Sequence, residues 1–167
     1  MNIAYNGFLK VLIKKLLLKN GTSVNREVVS TSHSVGMFCH NAANTKFFFT
    51  KQYRIGPEKE IIEIPAGRID KGEQPKDAAI REVREELGME VIKIDFIKAI
   101  YASPGYTNEV LFIYDVIVKD EFLGQELDGD EELEIITMDE DEVEEFLESN
   151  TLIDAKTLVA LQHIFGR

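Results

Sequence analysis

Strand-like alternation of apolar and polar residues dominates the first half of this chain, and helical spacing enters in three later stretches. Residues 7–18 and 24–30 predict two strands around Asn20-Gly21, a dipeptide suited to a tight hairpin turn. Residues 34–40 and 47–52 predict a further pair, joined through Asn41-Ala42-Ala43-Asn44, with Phe47-Phe48-Phe49 as a buried strand. The run EIIEI at 60–64 reads as a strand that ends at Pro65-Ala66-Gly67 and passes into an acidic turn reaching Gly72. A helix follows. Pro75 suits its first turn, where a missing N–H costs nothing, and Asp77 lies early, where the helix dipole favours a negative charge. Ile80, Val83 and Leu87 recur at i, i+3 and i+7 as an apolar stripe, and Gly88 is placed for a left-handed C-cap. Residues 91–102, 110–118 and 133–138 are strand-like. Residues 139–147 and 154–165 are helical, the first burying Val143, Phe146 and Leu147, the second Leu158, Leu161, Ile164 and Phe165. Strands with helices before and after them predict a mixed sheet sandwiched between helices.

A chain of 167 residues is expected to form a single domain, with 1–32 as N-terminal strands and 33–167 as the core. The net charge of −11 argues against a nucleic-acid partner, because a phosphate backbone demands Lys and Arg. A small phosphate ligand carried with its own metal is not disfavoured by it. A single cysteine, Cys39, precludes an internal disulfide and fits a reducing, cytoplasmic setting. No apolar run reaches the length of a membrane span, and the first 20 residues lack the features of a secretory signal. His33, His40 and His163 show no metal-ligand spacing with one another or with Cys39.

The chemistry concentrates in residues 67–89, GRIDKGEQPKDAAIREVREELGM. On a helix, Glu82 and Glu86 stand at i,i+4 on one face with Glu85 beside them. Like charges at that spacing destabilise a bare helix, and Arg81 relieves only part of the repulsion. A hard divalent cation, which needs several carboxylate oxygens at one point, is the usual reason to tolerate it.

Gly67, Glu73, Arg81-Glu82-Val83, Glu85-Glu86 and Gly88-Met89 resemble the box of the Nudix hydrolases without departure. Seven fixed positions would arise by accident on the order of once in a billion starting sites. A merely solvated acidic face would not require the glycine spacing. Ser103-Pro104-Gly105, whose proline lies sixteen residues past Gly88, resembles the mark of the ADP-ribose pyrophosphatase branch. So do Lys51-Gln52-Tyr53-Arg54, the stretch from Glu63 to Gly67, the acidic run LDGDEELEI at 127–135, and Asp154-Ala155-Lys156-Thr157. The resemblance spans roughly residues 33–165.

It implies an α/β/α sandwich with a mixed sheet and an N-terminal β-hairpin. It implies hydrolysis of the pyrophosphate of a nucleoside diphosphate derivative, above all ADP-ribose, with Mg²⁺ or in its place Mn²⁺. It also implies a homodimer formed through the N-terminal strands. Nucleotide-sugar hydrolysis, of GDP-mannose or a UDP-sugar, is the alternative, and a non-catalytic sensor is disfavoured by the complete box. In the roles it implies, Glu82, Glu86 and Glu85 hold metal with the Ala66 carbonyl, while Glu73 and Arg81 brace them. An acid from the distal loop activates water, chosen among Asp128, Asp130, Glu131 and Glu132. Glu131 is the expected one, and Gly129 stands where relatives often carry another acid. Arg54 and Arg68 are candidates for holding phosphate or ribose, Glu109 for a ribose hydroxyl, and Tyr53 or Tyr106 for stacking on a base.

Overall fold

The computed structural model describes residues 2–7, 9–127, 129 and 131–166. Among the described residues, ten strands and three helices follow one another. The strands are β1 (Asn2–Asn6), β2 (Lys10–Leu17), β3 (Ser23–Ser30), β4 (Ser34–Asn41), β5 (Phe47–Arg54), β6 (Lys59–Glu63), β7 (Ala66–Arg68), β8 (Val91–Tyr101), β9 (Val110–Val118) and β10 (Glu134–Met138). The helices are α1 (Pro75–Glu82), α2 (Glu140–Ser149) and α3 (Ala155–Phe165). A π-helical turn, Val83–Leu87, continues α1.

The main sheet runs β10-β5-β4-β9-β8, with β6 added to β5 and β7 to β4. It is mixed, because β4 and β9 run parallel while the other pairs are antiparallel. Strands β4 and β5 pair only at Cys39↔Phe48 and His40↔Phe47. Beyond those residues they part. β6 pairs with the free length of β5, and β7 with the free length of β4 through Gly36↔Ala66 and Val35↔Gly67. The excursion between β6 and β7 thus carries Ala66 and Gly67 into the opening where the two central strands diverge.

Alternation along the strands sorts side chains onto two faces. Val35, Met37, Cys39, Phe48, Tyr114, Val116 and Val118 pack with Ala78, Ala79, Val83 and Leu87 of α1 and its π turn. Phe38, Phe47, Phe49, Leu111 and Ile113 pack on the other face with Val143 of α2 and Ala160 and Leu161 of α3. Each fully buried Phe or Leu contributes roughly 2–3 kcal/mol of transfer free energy. The run Phe47-Phe48-Phe49 serves both cores at once.

Three expectations change. The N-terminal hairpin is a three-stranded sheet, β1-β2-β3, and its middle strand begins at Lys10, because Asn2–Asn6 form a strand of their own and the chain turns near Gly7 to return as β2. Ile80 is 38% exposed, and Ala78 and Ala79 lie buried where it was expected. The stripe fails because the π turn adds a residue to the helical repeat between Ile80 and Leu87. In α3, Leu161 is fully buried while Leu158, Ile164 and Phe165 are only partly so.

Candidate active site

Helix α1 opens without a side-chain cap on Gln74, and Pro75 at its first position removes one orphan N–H. The π turn ends at Gly88, whose φ of 61° is left-handed. A Cβ there would lie 2.6 Å from the Gly124 backbone, so glycine is required for conformation and for contact alike. The widened turn carries Glu85 and Glu86, and Glu82 immediately precedes it.

Both Glu82 and Glu86 reach the Ala66–Gly67 edge of β7. The Ala66 N–H donates to Glu86 Oε2 at 3.1 Å. The Glu82 carboxylate lies against the Gly67 Cα so closely that a Cβ would stand 1.8 Å from its carboxyl carbon. The box glycine therefore makes room for a carboxylate. Arg81 braces the group. Its Nε donates to Glu73 Oε1 at 3.0 Å, and its Nη1 donates to Glu82 Oε1 and Glu85 Oε2, each at 2.7 Å. Its Nη2 donates to the Arg68 carbonyl at 2.9 Å and to Glu73 Oε2 at 3.1 Å. Glu73 also accepts from the Asp70 N–H at 2.9 Å, which closes the loop before α1.

The electrostatics are those of an excess of negative charge. Glu86 is 4% exposed, and its carboxyl is pushed up to about 8, by burial first and then by the Glu82 charge, with Glu131 and Glu63 adding to it. Glu82 is also raised, again by burial first, with Glu85 and Glu131 opposing its ionisation and Arg81 favouring it. Glu131 thus acts on both carboxylates across the site. Glu73, by contrast, is lowered by its bonds to Arg81 and to the Asp70 N–H. Asp128 and Asp130 of the same acidic loop lie outside the described residues.

Beside the Ala66–Gly67 edge lies a cavity of ≈ 400 Å³. Arg54, Arg68, Glu109 and Lys156 line it, together with Ser34 and Asp154. Glu109 is fixed by the Ser34 hydroxyl, which donates to its Oε1 at 2.6 Å. Arg54 donates through Nε to Glu63 Oε1 at 2.6 Å. Glu63, 2% exposed, is also held by Lys156, which stands 3.0 Å from Asp154 as well. Asp154 caps α3 by accepting from the Thr157 N–H at 3.1 Å, and the Ile64 N–H donates to Thr157 Oγ1 at 2.9 Å. That docking brings Lys156 beneath the cavity. Tyr106 and Tyr53 are 60% and 59% exposed, and neither lines the cavity.

Glu63, Lys156, Asp154 and Ser34 had no role from sequence. The stretches around Glu63 and Asp154-Ala155-Lys156-Thr157 were visible as family-like segments, but their pairing across the fold was not.

The site's donors are all oxygens, the set that suits a hard divalent ion such as Mg²⁺ or Mn²⁺. One buried carboxylate, Glu86, and one half-buried, Glu82, are held above their ordinary range, which a missing positive charge would relieve. Among the described residues, no three acidic, His or Cys side chains already stand gathered as a metal cluster. Arg81 occupies one oxygen each of Glu82 and Glu85 instead.

A family model described as NUDIX domain matches residues 31–161. ADP-ribose pyrophosphatase of Bacillus subtilis (strain 168) is 34% identical over 155 residues, 91% of this chain and 82% of that protein. Methanol dehydrogenase activator of Bacillus methanolicus is 32% identical over 158 residues, 93% of this chain and 84% of that protein. GDP-mannose pyrophosphatase of Cronobacter sakazakii (strain ATCC BAA-894) is 28% identical over 159 residues, 89% of this chain and 83% of that protein. A crystal structure described as ADP compounds hydrolase superposes with a TM-score of 0.83 at 23% identity, covering 99% of this chain and 91% of that one, which establishes the shared fold. The unbroken box, the carboxylates it gathers at one edge of β7, the family match and these relatives together place the chain in the Nudix family, as a Nudix hydrolase.

Proposed function

We propose that the chain hydrolyses ADP-ribose to AMP and ribose 5-phosphate with a divalent ion, Mg²⁺ or in its place Mn²⁺. The observation that carries this reading is the joining of two sites. The Ala66–Gly67 edge bears the Glu82 and Glu86 carboxylates on one side and borders the cavity lined by Arg54, Arg68, Lys156 and Glu109 on the other. A diphosphate needs cations, and a ribose needs acceptors such as Glu109. The Bacillus subtilis relative bears the name of this activity.

In this reading Glu82, Glu86, Glu85 and the Ala66 carbonyl would hold the ion. Bound there, it would neutralise diphosphate charge and make a water more acidic. Glu131 takes the proton of the attacking water, whose oxygen bonds to one phosphorus as that phosphorus parts from the bridging oxygen. The departing group is a phosphate monoester, which leaves without strong acid assistance. Proton transfer of this kind contributes typically about 10²–10⁴-fold. Arg81 and Glu73 act on no substrate atom. They hold Glu82 and Glu85 in place, and loss of such support commonly costs about 10–100-fold. Arg54, with its Nε fixed on Glu63, presents its terminal nitrogens to phosphate, with Arg68 beside it. Tyr106 meets a base only if it closes over the cavity from its exposed position.

The dimer belongs to the same proposal. The sheet β1-β2-β3 joins the core at Val29, whose N–H donates to the Tyr106 carbonyl at 2.7 Å, and near Thr31 and Asn108. Its Ile3, Tyr5, Leu16 and Leu17 are exposed, an apolar surface suited to a second copy. A reducing cytoplasm fits the single buried Cys39. Among the described residues, no helix is long and apolar enough to cross a membrane.

The reading is tested by kcat/KM over a panel of nucleoside diphosphate derivatives and triphosphates. ADP-ribose is expected to exceed dATP and dGTP by at least about tenfold, roughly 1.4 kcal/mol of transition-state binding. Preference for a triphosphate would reject it. The Cronobacter relative favours a second reading, nucleotide-sugar hydrolysis, which a clear preference for GDP-mannose would establish instead.

A further inference from the structure

The segment 119–127 links β9 to the acidic loop and lies as a strap across the end of the box helix. The Leu123 N–H donates to the Gly88 carbonyl at 2.8 Å, and the Glu126 N–H to the Glu85 carbonyl at 2.9 Å. Arg84 returns two bonds, to the Gly124 carbonyl at 2.7 Å and to Glu126 Oε1 at 2.6 Å. The last carbonyls of a helix have no partner within it, so the strap satisfies groups that would otherwise be orphaned. That much is ordinary capping.

Gln125 does something further. Its Nε2 donates to the Glu86 carbonyl at 2.7 Å and also to the Leu133 carbonyl at 3.4 Å. Leu133 lies on the far side of the acidic loop, two residues beyond Glu131. One amide nitrogen therefore ties Glu86, whose carboxylate is buried, to both ends of the loop that bears the distal acid. From this geometry we infer that Gln125 is a positioning residue, setting the placement of Glu131 against Glu82 and Glu86. The inference rests on the proposed role of Glu131 as the water-activating acid.

Two hydrogens on one nitrogen suit the task, because a single planar group fixes both distances together. A misplacement of about 1 Å at a reacting group can cost on the order of a hundredfold. Among the described residues, the amide lines no part of the cavity and bonds to no carboxylate oxygen. Its loss should therefore act on the chemical step and leave substrate binding almost unchanged.

The test is a double-mutant cycle on the full chain with ADP-ribose and saturating Mg²⁺. Gln125→Leu keeps the bulk and removes both donors. Alone it is expected to lower kcat by about tenfold or more with KM within about twofold. In a Glu131→Gln background the same change is expected to lower kcat by less than about twofold, because the group it positions is already gone. Gln125→Glu, which keeps the shape and replaces the donors by acceptors, should behave as Gln125→Leu does and serves if that variant fails to fold. An equal fold-loss in both backgrounds would overturn the inference alone, as would wild-type kcat in both Gln125 variants. A Glu131→Gln variant with near wild-type kcat would remove the base assignment and this inference with it.

Discussion

Replacing Glu86 by Gln should make the metal-free protein more stable, and only above acidic pH. Glu86 is 4% exposed and its carboxyl is pushed from 4.5 to about 8. Ionising it in the folded chain therefore costs roughly 5 kcal/mol more than in the unfolded chain. Between those two pH values the folded state keeps a proton that the unfolded state releases. Folding then binds a proton at this group, so its contribution to metal-free stability is most favourable below about pH 4.5, falls as pH rises, and levels off above pH 8. Glu82 is raised as well and pushes the same way. Gln cannot ionise, and its carbonyl can still accept the Ala66 N–H. Part of the cost will be relieved by local movement in the wild type, so a gain of about 3 kcal/mol is expected at pH 8.5. For a domain of this size, that corresponds to about 6–12 °C in Tm. The assay is thermal unfolding in EDTA at pH 5 and pH 8.5. The variant should unfold later at pH 8.5 and near the wild type at pH 5. Saturating Mg²⁺ should then stabilise the wild type and much less the variant. Equal Tm differences at both pH values, or a less stable variant at pH 8.5, would show that the buried Glu86 charge does not limit metal-free stability.

Three other outcomes follow from particular contacts. Gly67→Ala places a Cβ 1.8 Å from the Glu82 carboxyl carbon, so Glu82 must swing away; turnover should fall at least about tenfold while Tm moves by only a few degrees. Lys156→Met leaves Glu63 buried with one cation fewer, and urea unfolding should show a loss of about 3 kcal/mol. His40 has both ring nitrogens on acceptors, Asn41 O at 2.9 Å and Asp115 Oδ1 at 3.0 Å, and is raised by the Asp115 bond first. Its charged form stabilises the fold below pH 6.5, and that contribution disappears as pH rises through the elevated value. The Tm gap between wild type and His40→Phe should shrink from pH 6 to pH 9.

The sequence carried the position of nearly every strand and helix, because alternation and turn residues act locally. Strand β7 escaped it, being three residues of Ala, Gly and Arg without apolar alternation. It is a strand only because β4 and β5 part and leave β4 an open edge. The π turn escaped for a related reason. A turn of five residues has no periodicity of its own, and the strap across its carbonyls satisfies what the turn leaves open. The mistaken burial of Ile80 descends from that same turn.

The box was legible because a gathered set of acids leaves a fixed spacing in the chain. Arg54, Glu109 and Arg68 could be named from family-like segments, and the structure lines one cavity with them. The Lys156–Glu63 pair, 93 residues apart in sequence, could not. A contact of that span follows from how α3 docks on Ile64, which no local pattern encodes. Gln125 likewise sits in a run without motif or periodicity, and only the proximity of two carbonyls gives it meaning.

If carboxylates gathered at the Ala66–Gly67 edge drive hydrolysis of a diphosphate, neutralising one of them must slow it. Phosphorus NMR of ADP-ribose incubated with the wild type and with Glu82→Gln, at saturating Mg²⁺, tests it most directly. AMP and ribose 5-phosphate are expected in equal amounts from the wild type, none after EDTA, and at a rate at least about a hundredfold lower in the variant. Hydrolysis by Glu82→Gln at the wild-type rate would contradict it.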